Sequence, residues 1–115
     1  MGKDTRAISW IKSALKEFRK FPQGAQNKML TALTIAAEGS KADIAKPLKG
    51  LGSGIYEIAL EYSSNAYRAI YTVKIGDDIW VVHSFQKKST KGIKTPKKEI
   101  DLVRERIRLL REQLK

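Results

Sequence analysis

Cysteine is absent from the 115-residue chain, so disulfide staples and thiolate metal sites are excluded and nothing points to an oxidising compartment. Histidine occurs once, as His83, too few for a conventional zinc site, and neither an HExxH pair nor a carboxylate cluster suggests another metal. No apolar run approaches the length of a membrane span, and MGKDTRAISW contains none long enough for a signal peptide. Arg6 stands where a myristoylation signal would place Ser or Thr. The chain is therefore read as cytoplasmic, with no membrane partner. Neither a GxSxG nucleophile elbow nor a GxxxxGKS/T phosphate loop occurs. The glycines of GLGSG (50–54) precede a strand-like run rather than a helix, so they read as a turn, not a dinucleotide fingerprint. No cofactor is expected.

Acidic residues are also scarce. Only 12 stand against 23 Lys and Arg, a formal net charge of +11. That excess favours a polyanion as partner, with nucleic acid ahead of an acidic protein or an anionic membrane face. Its distribution sharpens the reading. From Lys87 to Lys98 the stretch KKSTKGIKTPKK carries six lysines and no acid. Net charge alone would serve solubility, but solubility does not require clustering in one loop. The apolar fraction of 42% and charged fraction of 30% are those of a folded protein, and the length suits one domain, 1–115, with a real core.

Periodicity gives the order of elements. RAISW (6–10) reads as a short first strand. Ile11, Leu15 and Phe18 recur at helical spacing, and Pro22 ends that segment while suiting the first turn of a second helix, 22–38, closed by Gly39. Two helices joined so tightly predict an antiparallel hairpin. Three strand-like runs follow, IYEIALEY (55–62), YRAIYTVKI (67–75) and IWVVHSF (79–85), with connections short enough for an antiparallel meander. The third is apolar on both faces, as a well-covered strand should be. Thr95 as N-cap and Pro96 at the first helical position open a last helix. Its apolar stripe is Ile100, Val103, Ile107, Leu110 and Leu114, with Arg104, Arg108 and Arg111 off the stripe as a solvated face. The reading is an α+β domain of order (β)ααβββα, its helices against one face of a small twisted antiparallel sheet and part of the opposite face open as a binding floor.

For chemistry there remain Arg68, the lysines of 87–98, Glu57, His83 and the tyrosines. Such a set can hold RNA and can also cut it. Cleavage needs a base for the 2′-hydroxyl proton, donors for charge growing on the phosphate, and an acid for the leaving 5′-oxygen. Arg68 and the lysines suit the second role, since guanidinium and ammonium groups complement phosphate charge. Glu57, His83 or a lysine whose pKa is lowered by its cationic neighbours are the candidate proton carriers, and Lys49, Lys91, Lys94, Lys97 and Lys98 are candidates for holding the RNA backbone. Structural readings stand beside these. His83 in an apolar strand suits a buried, hydrogen-bonded role. Glu57 and Arg68, on the polar parity of neighbouring strands, suit a cross-strand ion pair as well as a site.

Three segments carry a resemblance. VHSFQKKSTKGIKTPKKEIDL (82–102), KPLKGLGSGIYEI (46–58) and AYRAIYTV (66–73) together resemble the phage-related, HigB-like toxins of the RelE/ParE superfamily, in the same order and over nearly the whole chain. The resemblance implies the RelE/ParE-like fold and a type II toxin neutralised by a neighbouring antitoxin, HigA-like with a helix-turn-helix. It also implies an endoribonuclease that cuts messenger RNA on the ribosome without a metal ion. Arg68 would match the phosphate-stabilising arginine of the YR strand, and Lys88, beside Lys87, the cation after the last strand. The chain departs from RelE in carrying Glu57 and Ala59 where RelE has lysines, and in having no tyrosine in 88–98, which leaves the base open between Glu57 and His83. A ParE-like inhibitor of DNA gyrase, or a non-catalytic RNA- or partner-binding member of the fold, is the alternative implied by the same likeness.

Overall fold

The computed structural model describes residues 5–87 and 94–114. Strand β1 (Ile8–Trp10) leads into helices α1 (Lys12–Phe18) and α2 (Gln23–Ala37), followed by strands β2 (Ala45–Pro47), β3 (Ile55–Tyr62), β4 (Asn65–Thr72) and β5 (Ile79–Lys87) and helix α3 (Lys97–Gln113). The strands form one sheet in the order β1-β5-β4-β3-β2. The meander β3–β4–β5 is antiparallel as expected, and β1 joins it in parallel beside β5, pairing Ile8 with Ile79 and Trp10 with Val81.

Strand β2 was not anticipated from the sequence. It is a three-residue edge strand that pairs Ala45 with Ile58 and Pro47 with Tyr56. Proline within KPLKG marks a loop by composition, but an edge strand tolerates it because one side of its backbone needs no partner. Strand β4 begins two residues earlier than expected, because the β3–β4 turn needs only Ser63 and Ser64, both at positive φ (50° and 67°), rather than all of SSNA. Gly39 does close α2: its N–H donates to Ala36 O and that of Ser40 to Ile35 O, with Gly39 at φ 94°.

Strand alternation divides the core in two. On one face, Ile58, Leu60, Tyr67, Ala69, Tyr71, Ile79 and Val81 pack under Ala14 and Phe18 of α1 and Ala25, Met29, Leu33 and Ala36 of α2. Most of each of these helices' contacts are with the sheet, α1 along β5 and α2 across β3. Ring contacts join Trp10, Phe18, Phe21 and Tyr67 in series, at 4.7, 5.6 and 4.7 Å between centroids. On the other face, Ile55, Ile70 and Val82 pack under Val103, Ile107 and Leu110 of α3. Burying each of those three helix side chains contributes roughly 1.5–3 kcal/mol.

The helices therefore do not share one face, as the sequence suggested. α3 crosses to the other side, because its apolar stripe meets the face that carries Ile55, Ile70 and Val82. The part of that second face beyond α3, expected as an open floor, is not bare: Ala66, Arg68 and Lys87 on it are all buried. Thr95 does not cap α3 either: Pro96 occupies the N-cap position with no side-chain cap, and the Thr95 hydroxyl donates instead to Glu57 Oε2. A capping hydroxyl would accept from a backbone N–H of the first turn; here the Thr95 hydroxyl lies outside the cap position and its proton goes to a carboxylate, a charge-assisted bond.

Candidate functional site

Register places the candidate residues in rows across the second face. Glu57, Ile70 and His83 face one another on β3, β4 and β5, with Lys46 of β2 opposite Glu57. The next row is Ala59, Arg68 and Phe85, and the one beyond it is Glu61, Ala66 and Lys87. This arrangement depends on an irregularity in β5. The β4–β5 pairing shifts by one residue between Ile70 and Tyr71, leaving Val82 without a partner in register, so that His83, Phe85 and Lys87 come to the face of Arg68.

Arg68 is the centre of the floor. It lies on the middle strand, only 7% exposed, flanked by alanine on one side and an aromatic ring on the other. Its Nε is buried with no hydrogen-bond partner, and among the described residues no ion pair reaches the guanidinium. The cross-strand pair with Glu57 is thus not formed; Arg68 stands opposite Ala59, one row away, and the Glu57 carboxylate is taken by Thr95. A cation held in a sheet without an anion is costly to keep, and such groups cluster where an anionic ligand completes them. Lys87 is also buried, at 8% exposure, and is itself engaged.

His83 lies outside this floor, beneath α3. Its Nε2 is 2.6 Å from Glu99 Oε1 and its Nδ1 is 2.8 Å from Arg106 Nη1, which also donates to Val82 O at 3.0 Å. Arginine can only donate, so Nδ1 is the acceptor and Nε2 carries the proton given to Glu99. Burial lowers the pKa of the ring from 6.5; the Glu99 hydrogen bond opposes that and the Arg106 charge adds to it. The neutral ring is the form the fold selects. Because the folded pKa lies below the unfolded one, the unfolded chain binds more protons in between. The contribution to stability is therefore complete above pH 6.5 and is lost as pH falls from there towards the lowered value. Thermal melts between pH 7.5 and 5 should show that decline, and His83→Gln should remove it; a pH-independent melt over this span contradicts the assignment.

Of the expected backbone-holding lysines, Lys94, Lys97 and Lys98 are exposed around the start of α3, with Lys97 3.0 Å from Asp101 in an exposed ion pair of little energetic weight. Lys88 and Lys91 lie outside the described residues. Lys49 is exposed but not with the others. It adjoins Gly50 and Leu51, which line a groove of about 440 Å³ with Arg104, Arg108 and Arg111, towards the far end of α3 from Arg68. Two of those arginines are paired on the helix surface, Arg104 with Asp101 and Arg108 with Glu105, as a solvated face should be.

Sequence reasoning passed over Phe85, Glu99 and Arg106. Glu99 and Arg106 had a signal: spaced four before and three after Val103, they fall beside the apolar stripe and not on the solvated arginine side. Among the described residues no group of three or more His, Cys, Asp or Glu side chains converges, and no helix is long and apolar enough to cross a membrane.

The family model described as "Phage derived protein Gp49-like (DUF891)" matches residues 16–108. No curated protein matches the sequence. Among solved structures, a double arginine-to-alanine mutant of the E. coli toxin RelE in the free state superposes with a TM-score of 0.59 at 22% identity, covering 76% of this chain and 88% of that one. The isolated E. coli RelE toxin gives the same TM-score and identity over 75% and 88%. At that identity the likeness is one of fold.

Proposed function

The chain belongs to the Gp49-like family of phage-derived proteins, a RelE-like toxin family, and from that premise we propose that it is a type II toxin that cuts messenger RNA on the ribosome. The observation that carries the cutting step is Arg68, buried on the middle strand with its Nε unpartnered and, among the described residues, no ion pair to its guanidinium. The reaction it serves is attack of a ribose 2′-oxygen on the adjacent phosphorus. The 2′-hydroxyl gives up its proton to water as the new O2′–P bond forms, the P–O5′ bond breaks, and the 5′-oxygen takes a proton from water, leaving a 2′,3′-cyclic phosphate. Negative charge grows on the non-bridging oxygens, where a guanidinium fork fixed in place is worth more than a mobile one because it needs no reorganisation. Phe85, opposite Arg68, offers a ring on which a base can stack.

Lys87 and Lys88 complete the positive charge at the phosphate, and Lys91, Lys94, Lys97 and Lys98 hold the flanking backbone. Lys49, with the arginine groove, serves ribosomal RNA at a second contact. The scheme draws its charge neutralisation from side chains rather than from a metal ion. A protein of this kind acts in the cytoplasm and is neutralised there by the product of a neighbouring antitoxin gene, here a HigA-like one with a helix-turn-helix.

Mapping transcript 5′ ends after induction tests the reading. New ends in phase with codons, absent when translation is blocked, are expected. Intact transcripts accompanied by DNA-damage signalling would instead assign the chain to gyrase inhibition.

A further inference from the structure

We infer that Glu57 and His83 are positioning residues: with Thr95, Glu99 and Arg106 they form a clasp that pins the start of α3 across the sheet beside Arg68. The inference rests on the nuclease reading for its consequence, but the clasp itself is a matter of geometry.

Two contacts four residues apart in sequence reach two strands that are not neighbours. Thr95 donates to Glu57 on β3, and Glu99, in the first turn of α3, accepts from His83 Nε2 on β5 at 2.6 Å. β4 lies between them, so the anchors are about 10 Å apart across the sheet. One anchor would let the chain pivot; two set the direction in which it enters the helix. Arg106, two turns further on, ties the same histidine through Nδ1 at 2.8 Å and the partnerless Val82 through its carbonyl at 3.0 Å.

Among the described residues, the apolar hold on this end is the half-buried Ile100 alone. The buried apolar side chains of α3 begin at Val103, Ile100 is half-buried, and Lys97 and Lys98 are exposed. Without the clasp the first turn of α3 would be free to fray, as helix starts without caps do. The row of Glu57 and His83 lies two residues along the strands from that of Arg68, roughly 7 Å. The clasp therefore fixes where Lys94 and Thr95 stand relative to the guanidinium. It also accounts for both residues that the sequence offered as proton carriers. His83 has neither ring nitrogen free, and Glu57 gives a carboxylate oxygen to Thr95.

Conservative variants separate positioning from catalysis. Glu57→Gln keeps an oxygen acceptor for Thr95 but cannot take a proton, so it should cleave within about threefold of the unmodified protein and keep its pH–rate profile. Loss of a general base would cost about 10²–10⁴-fold and erase the rising limb of that profile. Thr95→Val, which removes the donor and nothing else, should lower the cleavage rate by about 10–100-fold through misplacement, and Thr95→Ser should restore it. A Glu57→Gln protein as inactive as one lacking Arg68 overturns the assignment. Independently of any activity, amide hydrogen exchange at Glu99 and Ile100 should quicken about tenfold in Thr95→Val. Unchanged exchange there overturns the clasp even if the protein cuts RNA, whereas faster exchange in a protein that cuts nothing leaves the clasp standing and removes only the nuclease reading.

Discussion

Arg68→Met is expected to silence RNA cleavage and, in the same protein, to raise the melting temperature. The two effects have one origin. Arg68 as a residue is 7% exposed, its buried Nε has no partner, and no described anion neutralises it. In the absence of RNA, the fold bears the desolvation of a charge with nothing in return. Replacing a buried ion by an apolar side chain of similar volume is often stabilising, by about 1–4 kcal/mol. At the low end of that range, about 1 kcal/mol corresponds to roughly 4–8 °C for a domain near this size. Cleavage should fall by about 10²–10³-fold, the usual cost of removing one fixed donor to charge that develops in a transition state. Arg68→Lys keeps the charge but not the planar fork and should sit between the two. Calorimetry and single-turnover cleavage on programmed ribosomes measure both quantities. A variant that melts several degrees lower would make Arg68 a structural residue, and one that cuts at the full rate would remove it from the site.

The second large effect concerns salt. A chain of net charge +11 whose binding is carried by Lys and Arg at phosphates releases one condensed counterion for each phosphate it neutralises. With about five or six contacts to single-stranded RNA, raising salt fourfold should weaken binding by roughly a hundredfold. Lys94→Gln and Lys98→Gln should each reduce the slope of log K against log salt by about 0.7, with the same loss for every RNA sequence tested. Lys49→Gln should leave the slope for a short RNA unchanged, because it stands apart from the Arg68 floor, and should reduce it for whole ribosomes. A flat salt dependence would mean that the lysines are not contacts at all.

Much of this was legible in the residues. IYEIALEY alternates cleanly because one of its faces is core, and its strand ends fall where the alternation ends. The stripe of α3 is equally clear, since Val103, Ile107 and Leu110 have no other reason to recur at that spacing. Which side of the sheet α3 covers was not legible. A stripe says that a helix has an apolar face and is silent about which of two apolar surfaces it meets. Thr95 misled for a similar reason: Thr-Pro before a helix has the composition of a cap, and only the fold brings Glu57, 38 residues away, within reach of the hydroxyl. The candidate site was half readable. Arg68 and the lysines follow from charge, but the neighbours that make Arg68 unusual, Ala59 and Phe85, are ordinary residues whose importance is a matter of register.

β5 is apolar on both faces, so its sequence alone does not say which parity points where. Val82, the residue without a partner, decides it. Were the pairing regular at that point, with Val82 opposite Ile70, Ser84 and Gln86 would stand in the rows of Arg68 and Ala66, and Phe85 and Lys87 would turn into the layer beneath α1 and α2. The chemistry of the floor is in this sense a reading frame kept by the backbone. It can be lost through a single-residue insertion between Ile79 and His83 that leaves every functional side chain in the chain, whereas deletion of Val82 would close the bulge and keep Phe85 opposite Arg68.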